Sequence, residues 1–212
     1  MANWLNTAFY SFDRAFFVGV NALAKNAGGF FTPFCQFISL FGKGGIALII
    51  LSLTLILFKK SRRSGVAMLL AIGVGALFTN VVLKNLIARP RPYTTVEYNG
   101  FWQTAGGVVE KEFSFPSGHA TVAMTSMTAL FLALNKKWRW LCFLFVLFTA
   151  FARVYLVVHY ITDVIGGVLV GGISGTIGYF ISKKLFKFFE SKTDIKACVF
   201  VLNADIKNLF RK

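Results

Sequence analysis

The feature that most constrains this chain is a series of long apolar runs separated by short clusters of Lys and Arg. The run from Ser64 to Leu83 contains no charged residue and is as long as an α-helix must be to cross the hydrocarbon core of a bilayer. The chain of 212 residues is 56% hydrophobic, with a mean hydropathy of +0.66, which is above the norm for water-soluble domains. We therefore predict an all-α fold, a polytopic membrane helical bundle.

Five runs have the length and composition of clear membrane spans, and a sixth near the N-terminus is possible. The five lie at residues 44–58, 64–83, 140–158 and 164–182, with one more between residues 119 and 135. The possible sixth, residues 26–42, is uncharged but is broken by two glycines and a proline, so a short, a tilted and a re-entrant span all fit it. Residues 1–25 combine aromatic side chains at near-helical spacing with charged residues such as Asp13, and this predicts an interfacial helix.

The basic clusters indicate how the chain is oriented. They lie at residues 59–63, 136–139 and 183–192, on alternate connections between the predicted spans. Clusters of Lys and Arg stay on the cytoplasmic side of membrane proteins, so we predict a multi-pass protein of the cell membrane. The net charge of +15 is then explained by contact with anionic lipid, and nucleic acid is not an expected partner. Residues 1–190 form one membrane-embedded domain, and the basic tail 191–212 is expected to rest on the cytoplasmic leaflet.

Polar residues that interrupt the apolar runs gather at the other ends of the predicted spans, on the extracytoplasmic side. Polar and ionisable residues within membrane segments usually mark functional sites. The set includes both histidines of the chain, which are unlikely to meet there by chance. Its members are Lys84, Arg91, Ser117, His119, Arg153, His159 and Asp163.

His159 and Asp163 are four residues apart, which places them on one face if this segment is helical. The Asp163 carboxylate would then accept the Nδ1 proton of His159 and leave Nε2 free to act as a base or a nucleophile. A His–Asp pair that only caps a helix has the same spacing. Asp163 is also the one acidic residue in the cluster, too few oxygen ligands for a magnesium site, so we expect no metal.

The remaining residues of the cluster suit a multiply charged anion. Ser117 is a plausible N-cap of a helix, and Gly118 lets the backbone approach a phosphate closely. Lys84, Arg91 and Arg153 add three permanent positive charges, although each alone could be a cation that reaches from a span end to the interface. Phosphate is the natural ligand, because phosphoryl transfer needs positioned positive charge, a nucleophile and an acid.

The order and spacing of these residues resemble the signature of the type 2 phosphatidic acid phosphatase superfamily. The matching segments are Lys84 with six residues before Arg91-Pro92, then Pro116-Ser-Gly-His119, then Arg153 with five residues before His159 and three more before Asp163. The resemblance covers residues 84–163, and the flanking helices fit the short bacterial membrane members. One departure is Ala152, where the family usually has a serine that helps the phosphate site.

The resemblance implies a role for each residue. His159 would attack phosphorus, Asp163 would orient His159, and His119 would protonate the leaving oxygen and later activate water. Asp163 is expected to raise the pKa of His159, with the nearby cations opposing that shift. The phosphate-binding residues would be Lys84, Arg91, Ser117, Gly118 and Arg153, and no metal or other cofactor is implied.

The predicted function is a metal-independent lipid phosphate or diphosphate phosphatase, and undecaprenyl diphosphate is the first choice of substrate. Phosphatidic acid, phosphatidylglycerophosphate and a lipid A phosphate are alternatives, as is a non-catalytic lipid-binding or transport protein that keeps the anion pocket. The polar segment from Tyr93 to Phe115 is expected to act as a lid or substrate rim. The expected partners are the lipid substrate and the bilayer, and the sequence does not indicate an oligomeric state.

Overall fold

A computed structural model describes residues 1–209 of the chain. Within these residues the chain is helical and forms no β-strand, as predicted. The α-helices are α1 (Ala2–Ala8), α2 (Tyr10–Gly42), α3 (Ile46–Leu57), α4 (Arg62–Ala76), α5 (Lys84–Ile87), α6 (Val96–Thr104), α7 (Gly118–Ala133), α8 (Cys142–Tyr155), α9 (Ile161–Ser191) and α10 (Lys196–Asn203). Helices α4, α7 and α9 pack closely on one another, and α2 packs on α8.

Four stretches are long and apolar enough to cross a membrane. They are Tyr10–Leu57, Arg62–Thr94, Lys137–Tyr155 and Ile161–Ser191. The first of them is divided by a short 3-10 turn at Lys43–Gly45, where Gly44 and Gly45 have positive φ. Helix α7 has 16 residues, slightly fewer than a typical span. The chain is therefore a helical membrane bundle, and the number of crossings stays a prediction.

The structure places residues 1–25 in α1 and the first part of α2, and their location at the membrane interface stays a prediction. Helix α2 continues for 33 residues from Tyr10, with a single kink at Ala27. The sequence interpretation counted Asp13 against a span, because an unpaired carboxylate is costly in an apolar setting. In the fold, Asp13 is only 2% exposed and forms an ion pair with Arg89 at 2.8 Å, so its charge has a partner inside the protein.

The helix that begins with α4 changes its winding before it reaches Lys84. Residues Leu77–Leu83 form a π-helical segment between α4 and α5. Helix α5 then ends at Ala88, which has a φ of 48°, a left-handed conformation that turns the chain sharply. This turn sends the following residues, Arg89 and Arg91, back into the protein, where both are buried.

The polar segment from Tyr93 to Phe115 is more ordered than the sequence indicates. It contains helix α6, and Tyr98 on this helix is 4% exposed. The Tyr98 ring lies 4.7 Å from the Phe17 ring and 6.2 Å from the Tyr160 ring, measured between centroids. These contacts attach the segment to α2 and to the start of α9.

The C-terminal segment packs back onto the basic turn that precedes α4. Arg62 Nη1 donates a hydrogen bond to the carbonyl of Val201 at 2.8 Å, and Lys59 donates one to Asn203 at 2.9 Å. Residues 210–212 of the predicted tail lie outside the described residues. The rest of the tail contacts the protein, and its location on the cytoplasmic leaflet stays a prediction.

Candidate active site

A cavity of about 440 Å³ opens where α5, the N-terminus of α7 and the loop before α9 meet. Five of the residues predicted from the sequence line it: Lys84, Arg91, Gly118, His119 and His159. The other three, Ser117, Arg153 and Asp163, are buried next to this wall, each no more than 1% exposed. The fold therefore brings residues from three separate segments of the chain to one place.

His159 lies in a short loop between α8 and α9. The preceding Val157 has a φ of 53°, a strained conformation for a β-branched residue. Arg91 secures this loop, because its Nη1 atom donates to the Val158 carbonyl at 2.8 Å and lies 2.9 Å from Nε2 of His159. A guanidinium group has donors only, so Nε2 of His159 must accept. Nε2 therefore carries a lone pair at the cavity wall.

The predicted direct hydrogen bond between His159 and Asp163 is not formed. Nδ1 of His159 is 3.6 Å from Asp163 Oδ2, whereas it is 3.4 Å from the hydroxyl oxygen of Ser114. That hydroxyl donates to Asp163 Oδ2 at 2.5 Å. The spacing of four residues misleads because α9 begins at Ile161, after His159. Ser114 thus connects the imidazole to the carboxylate.

The pKa of His159 shifts in the direction opposite to the expected one. His159 lies between the spanning segments and is 1% exposed. Burial lowers the pKa of His159 well below its ordinary value of 6.5, and the charges of Arg91 and Arg153 lower it further. A lowered pKa keeps His159 in the neutral form, which the predicted nucleophile requires, into more acidic solution. Any loss of activity on the acid side should therefore occur well below pH 6.5.

The N-terminus of α7 contributes the second histidine. Ser117 is the N-cap residue, as predicted, and its hydroxyl oxygen accepts from the Ala120 amide at 3.4 Å. The Ser117 amide donates to the Asp163 carbonyl at 3.0 Å, which joins the starts of α7 and α9. His119 packs against Gly42 so closely that a Cβ on Gly42 would lie 2.6 Å from the imidazole.

Two carboxylates from the segment before α7 form ion pairs with cations of the site. Glu110 Oε1 accepts from Arg153 Nη2 at 2.5 Å, and Glu112 pairs with Lys84. The bond from Lys84 lowers the pKa of Glu112, which keeps this carboxylate charged. Arg91 Nε donates to the Glu112 carbonyl at 2.7 Å. Nε of Arg153 is buried without an acceptor in the described part of the chain.

Comparison with known proteins identifies the family. Residues 64–187, more than half of the chain, match the PAP2 superfamily. The chain belongs to the PAP2 superfamily. All eight residues predicted for the site lie within the matched region, and so does the segment that carries Glu110 and Glu112. The resemblance inferred from the motifs is therefore confirmed at the level of the family.

Relatives of this PAP2 chain include phosphatases with different lipid substrates. It is 29% identical over 136 residues to the undecaprenyl-diphosphatase of Sulfolobus acidocaldarius, covering 64% of this chain and 63% of the relative. It is 32% identical over 139 residues to the lipid A 4'-phosphatase of Bacteroides thetaiotaomicron, covering 61% and 59%. The chain thus spans about three fifths of the length of these two relatives.

A solved structure supports the fold assignment. The crystal structure of LpxE from Aquifex aeolicus superposes with a TM-score of 0.57 at 27% identity, covering 76% of this chain and 93% of that one. The helical arrangement around the PAP2 motifs is therefore shared with a structure determined by experiment.

Sequence reasoning overlooked several residues that the structure brings to the PAP2 site. These residues are Asp13, Arg89, Glu110, Glu112 and Ser114. Asp13 carried a usable signal, since a lone carboxylate in an apolar helix needs a buried partner. Within residues 1–209, no group of three or more His, Cys, Asp or Glu side chains is arranged to hold a metal ion.

Proposed function

We propose that this protein is a membrane lipid phosphatase that hydrolyses a lipid phosphate or diphosphate through a phosphohistidine on His159. The observation that carries the proposal is the state of Nε2 in His159, a residue that lines the cavity: Nε2 is unprotonated and accepts from the Arg91 guanidinium at 2.9 Å. A histidine that only capped a helix would not need an unprotonated nitrogen beside a cation in a cavity. Positive charge next to a nucleophilic nitrogen suits attack on phosphorus.

The reaction proceeds in two displacements. Nε2 of His159 attacks phosphorus, the bond from phosphorus to the lipid oxygen (or to the bridging oxygen of a diphosphate) breaks, and His119 gives its proton to that oxygen. His119 then takes a proton from water, whose oxygen attacks the phosphohistidine and breaks the phosphorus–nitrogen bond. The products are the shortened lipid and inorganic phosphate, and His119 regains its proton.

The phosphoryl group takes the place of the two loop carboxylates. Lys84 and Arg153 are each paired with a glutamate, so a phosphate that enters the cavity exchanges one set of negative oxygens for another. Arg91, the Ser117 hydroxyl and the amide at Gly118 complete the proposed phosphate site. Because these groups supply the positive charge of the transition state, we expect activity to persist in an excess of chelator.

We further propose that the site faces the extracytoplasmic side of the membrane. The basic residue Arg63 near the start of α4 pairs with Glu190 near the end of α9, whereas Lys84 and Asp163 lie at the opposite ends of these helical segments. Helix α9 has 31 residues, which corresponds to about 46 Å at 1.5 Å per residue. The positive-inside rule assigns the basic end to the cytoplasm and therefore the site to the other side.

The proposed substrate is undecaprenyl diphosphate. One relative named above is an undecaprenyl-diphosphatase, and a site at the membrane surface suits a diphosphate on a long lipid. The other relative is a lipid A 4'-phosphatase, so a lipid A phosphate is the second candidate. Phosphatidic acid and phosphatidylglycerophosphate complete the set to be compared.

The test is phosphate release by the purified full-length chain from these four lipids at equal surface concentration in detergent micelles. We expect the highest kcat/KM with undecaprenyl diphosphate, and we expect a labelled phosphate to be trapped on the protein by a rapid alkaline quench. His159→Ala should abolish both signals, by about 10⁴-fold or more in rate. Lipid binding without phosphate release from any of the four would support the non-catalytic alternative instead.

A further inference from the structure

The Asp163 carboxylate is held by groups other than His159. Its Oδ1 atom accepts from Arg89 Nη1 at 2.6 Å, and its Oδ2 atom accepts from the Ser114 hydroxyl at 2.5 Å and from the Tyr160 amide at 3.0 Å. Nδ1 of His159 is 3.6 Å from the nearer oxygen. The position of this carboxylate, and through Ser114 that of the imidazole, therefore depends on what fixes Arg89.

Arg89 is wholly buried, and each of its three nitrogens donates to a side chain. Besides its bond to Asp163, Nη2 donates to Asp13 Oδ2 at 2.8 Å and Nε donates to Asn6 Oδ1 at 2.8 Å. Its guanidinium carbon also lies 3.7 Å from the centroid of the Tyr160 ring. The Arg89 side chain is 0% exposed, and although Arg89 lines a neighbouring cavity, it does not line the one that contains His119 and His159.

Asp13 on α2 binds both Arg89 and the first turn of α9. It is 2% exposed, and besides Arg89 it accepts from the amide of Thr162 at 3.0 Å and from the hydroxyl of the same residue at 2.9 Å. That hydroxyl in turn accepts from Arg89 Nη1 at 2.7 Å. One guanidinium thus lies between two buried carboxylates, and the first turn of α9 is bound to α2.

We propose that Arg89, held by Asp13, is a positioning residue for the nucleophile: it fixes Asp163 and thereby the imidazole of His159. The inference rests on the proposed function of His159. Without Arg89, two buried carboxylates would face each other without a counter-charge, which the protein can relieve only by moving or protonating one of them. Either change disturbs the support of Nδ1 and the aim of Nε2.

The proposal also extends the functional unit beyond the family match. Asp13 precedes residue 64, where the PAP2 match begins, and α2 is the helix that carries it. The N-terminal helix therefore supplies a charge on which the geometry of the nucleophile depends. Helix α2 takes part in the site through the ion pair between Asp13 and Arg89.

The test compares rapid-quench phosphoenzyme formation, kcat and KM in the full-length protein for three variants. Arg89→Gln should lower kcat and the rate of phosphoenzyme formation by about 10²-fold, the size of effect expected when a reacting group is misplaced, with KM changed less than about threefold because Arg89 does not touch phosphate. Arg89→Lys keeps the charge and should recover part of this loss. Asp13→Asn, nearly identical in shape, should lower kcat less, with KM again unchanged.

The exposed neighbour Arg14 provides the matched control. Arg14→Gln removes a charge one residue from Asp13, where the side chain is 53% exposed and paired with Glu97, and it should leave kcat at the wild-type value. If Arg89→Gln does not fold, the kcat and KM of the Arg89→Lys and Asp13→Asn proteins test the positioning role. Wild-type kcat in both, or a loss confined to KM, overturns the positioning role. A wild-type protein that forms no phosphohistidine overturns the proposed mechanism instead.

Discussion

Arg89 and Arg91 are two residues apart and contact different members of the proposed catalytic pair, Asp163 and His159 respectively. Arg89 is wholly buried and bonds to the carboxylates of Asp13 and Asp163. Arg91 lines the cavity and bonds to backbone carbonyls and to Nε2 of His159. Arg89 lies between two carboxylates and is proposed to serve geometry, whereas Arg91 has no carboxylate partner among the described residues and is proposed to meet the substrate. Two identical side chains thus acquire different roles from their surroundings.

The largest expected effect comes from Arg91, the arginine that lines the cavity. Arg91→Ala should reduce kcat/KM by about 10³-fold on every phosphate substrate, because a preorganised donor to the phosphoryl oxygens is lost. Its melting temperature should fall less than that of Arg89→Ala, because Arg91 bonds to backbone carbonyls and forms no ion pair with a buried carboxylate among residues 1–209. Kinetics and thermal unfolding in the same detergent measure both quantities.

Arg89→Ala is the matched variant for that experiment. It leaves two buried carboxylates uncompensated, which costs about 3–5 kcal/mol for a buried pair, so its melting temperature should fall clearly. If Arg91→Ala were the less stable protein of the two, the distinction between a geometric and a substrate-facing arginine would be wrong.

A second, intermediate effect separates the two histidines. His119→Ala should reduce turnover of a lipid phosphate by about 10²-fold, the lower end of the usual contribution of a general acid. A substrate with a good leaving group, such as an activated aryl phosphate, needs less protonation and should be hydrolysed with a much smaller loss. Equal impairment on both substrates, measured as the ratio of kcat values to wild type, would show that His119 is not the leaving-group acid.

The smallest effect concerns the carboxylates of Glu110 and Glu112, which form ion pairs with cations of the site. Glu110→Gln and Glu112→Gln should each lower KM, or the inhibition constant of inorganic phosphate, by about two- to fivefold, because partly exposed ion pairs contribute only about 1 kcal/mol or less. Glu97→Gln, which breaks a surface pair with Arg14 at 2.9 Å, is the control and should change neither. A higher KM in the first two variants would mean that the carboxylates assist phosphate binding instead of competing with it.

The helical membrane bundle and the cluster of site residues were predictable, because spans and charge clusters determine which ends of the helices meet. The buried ion pair of Asp13 and Arg89 was not, because a carboxylate in an apolar helix indicates a buried partner but does not identify a residue 76 positions away as that partner. The place of Ser114 between His159 and Asp163 depends on where α9 begins, and the boundary of a helix is hard to infer from spacing alone.

The π-helical segment Leu77–Leu83 has a consequence for how the chain tolerates changes in length. A π turn holds one residue more than an α turn, so the segment rotates everything after it relative to the face that α4 presents to α7 and α9. An insertion of this kind lets one helix use one face for packing and a different face for Lys84. Deleting a single residue here would restore a regular helix and turn Lys84 away from the cavity while the packing of α4 remained intact. The position of Lys84 therefore depends on the number of residues in the segment Leu77–Leu83 as well as on their identity.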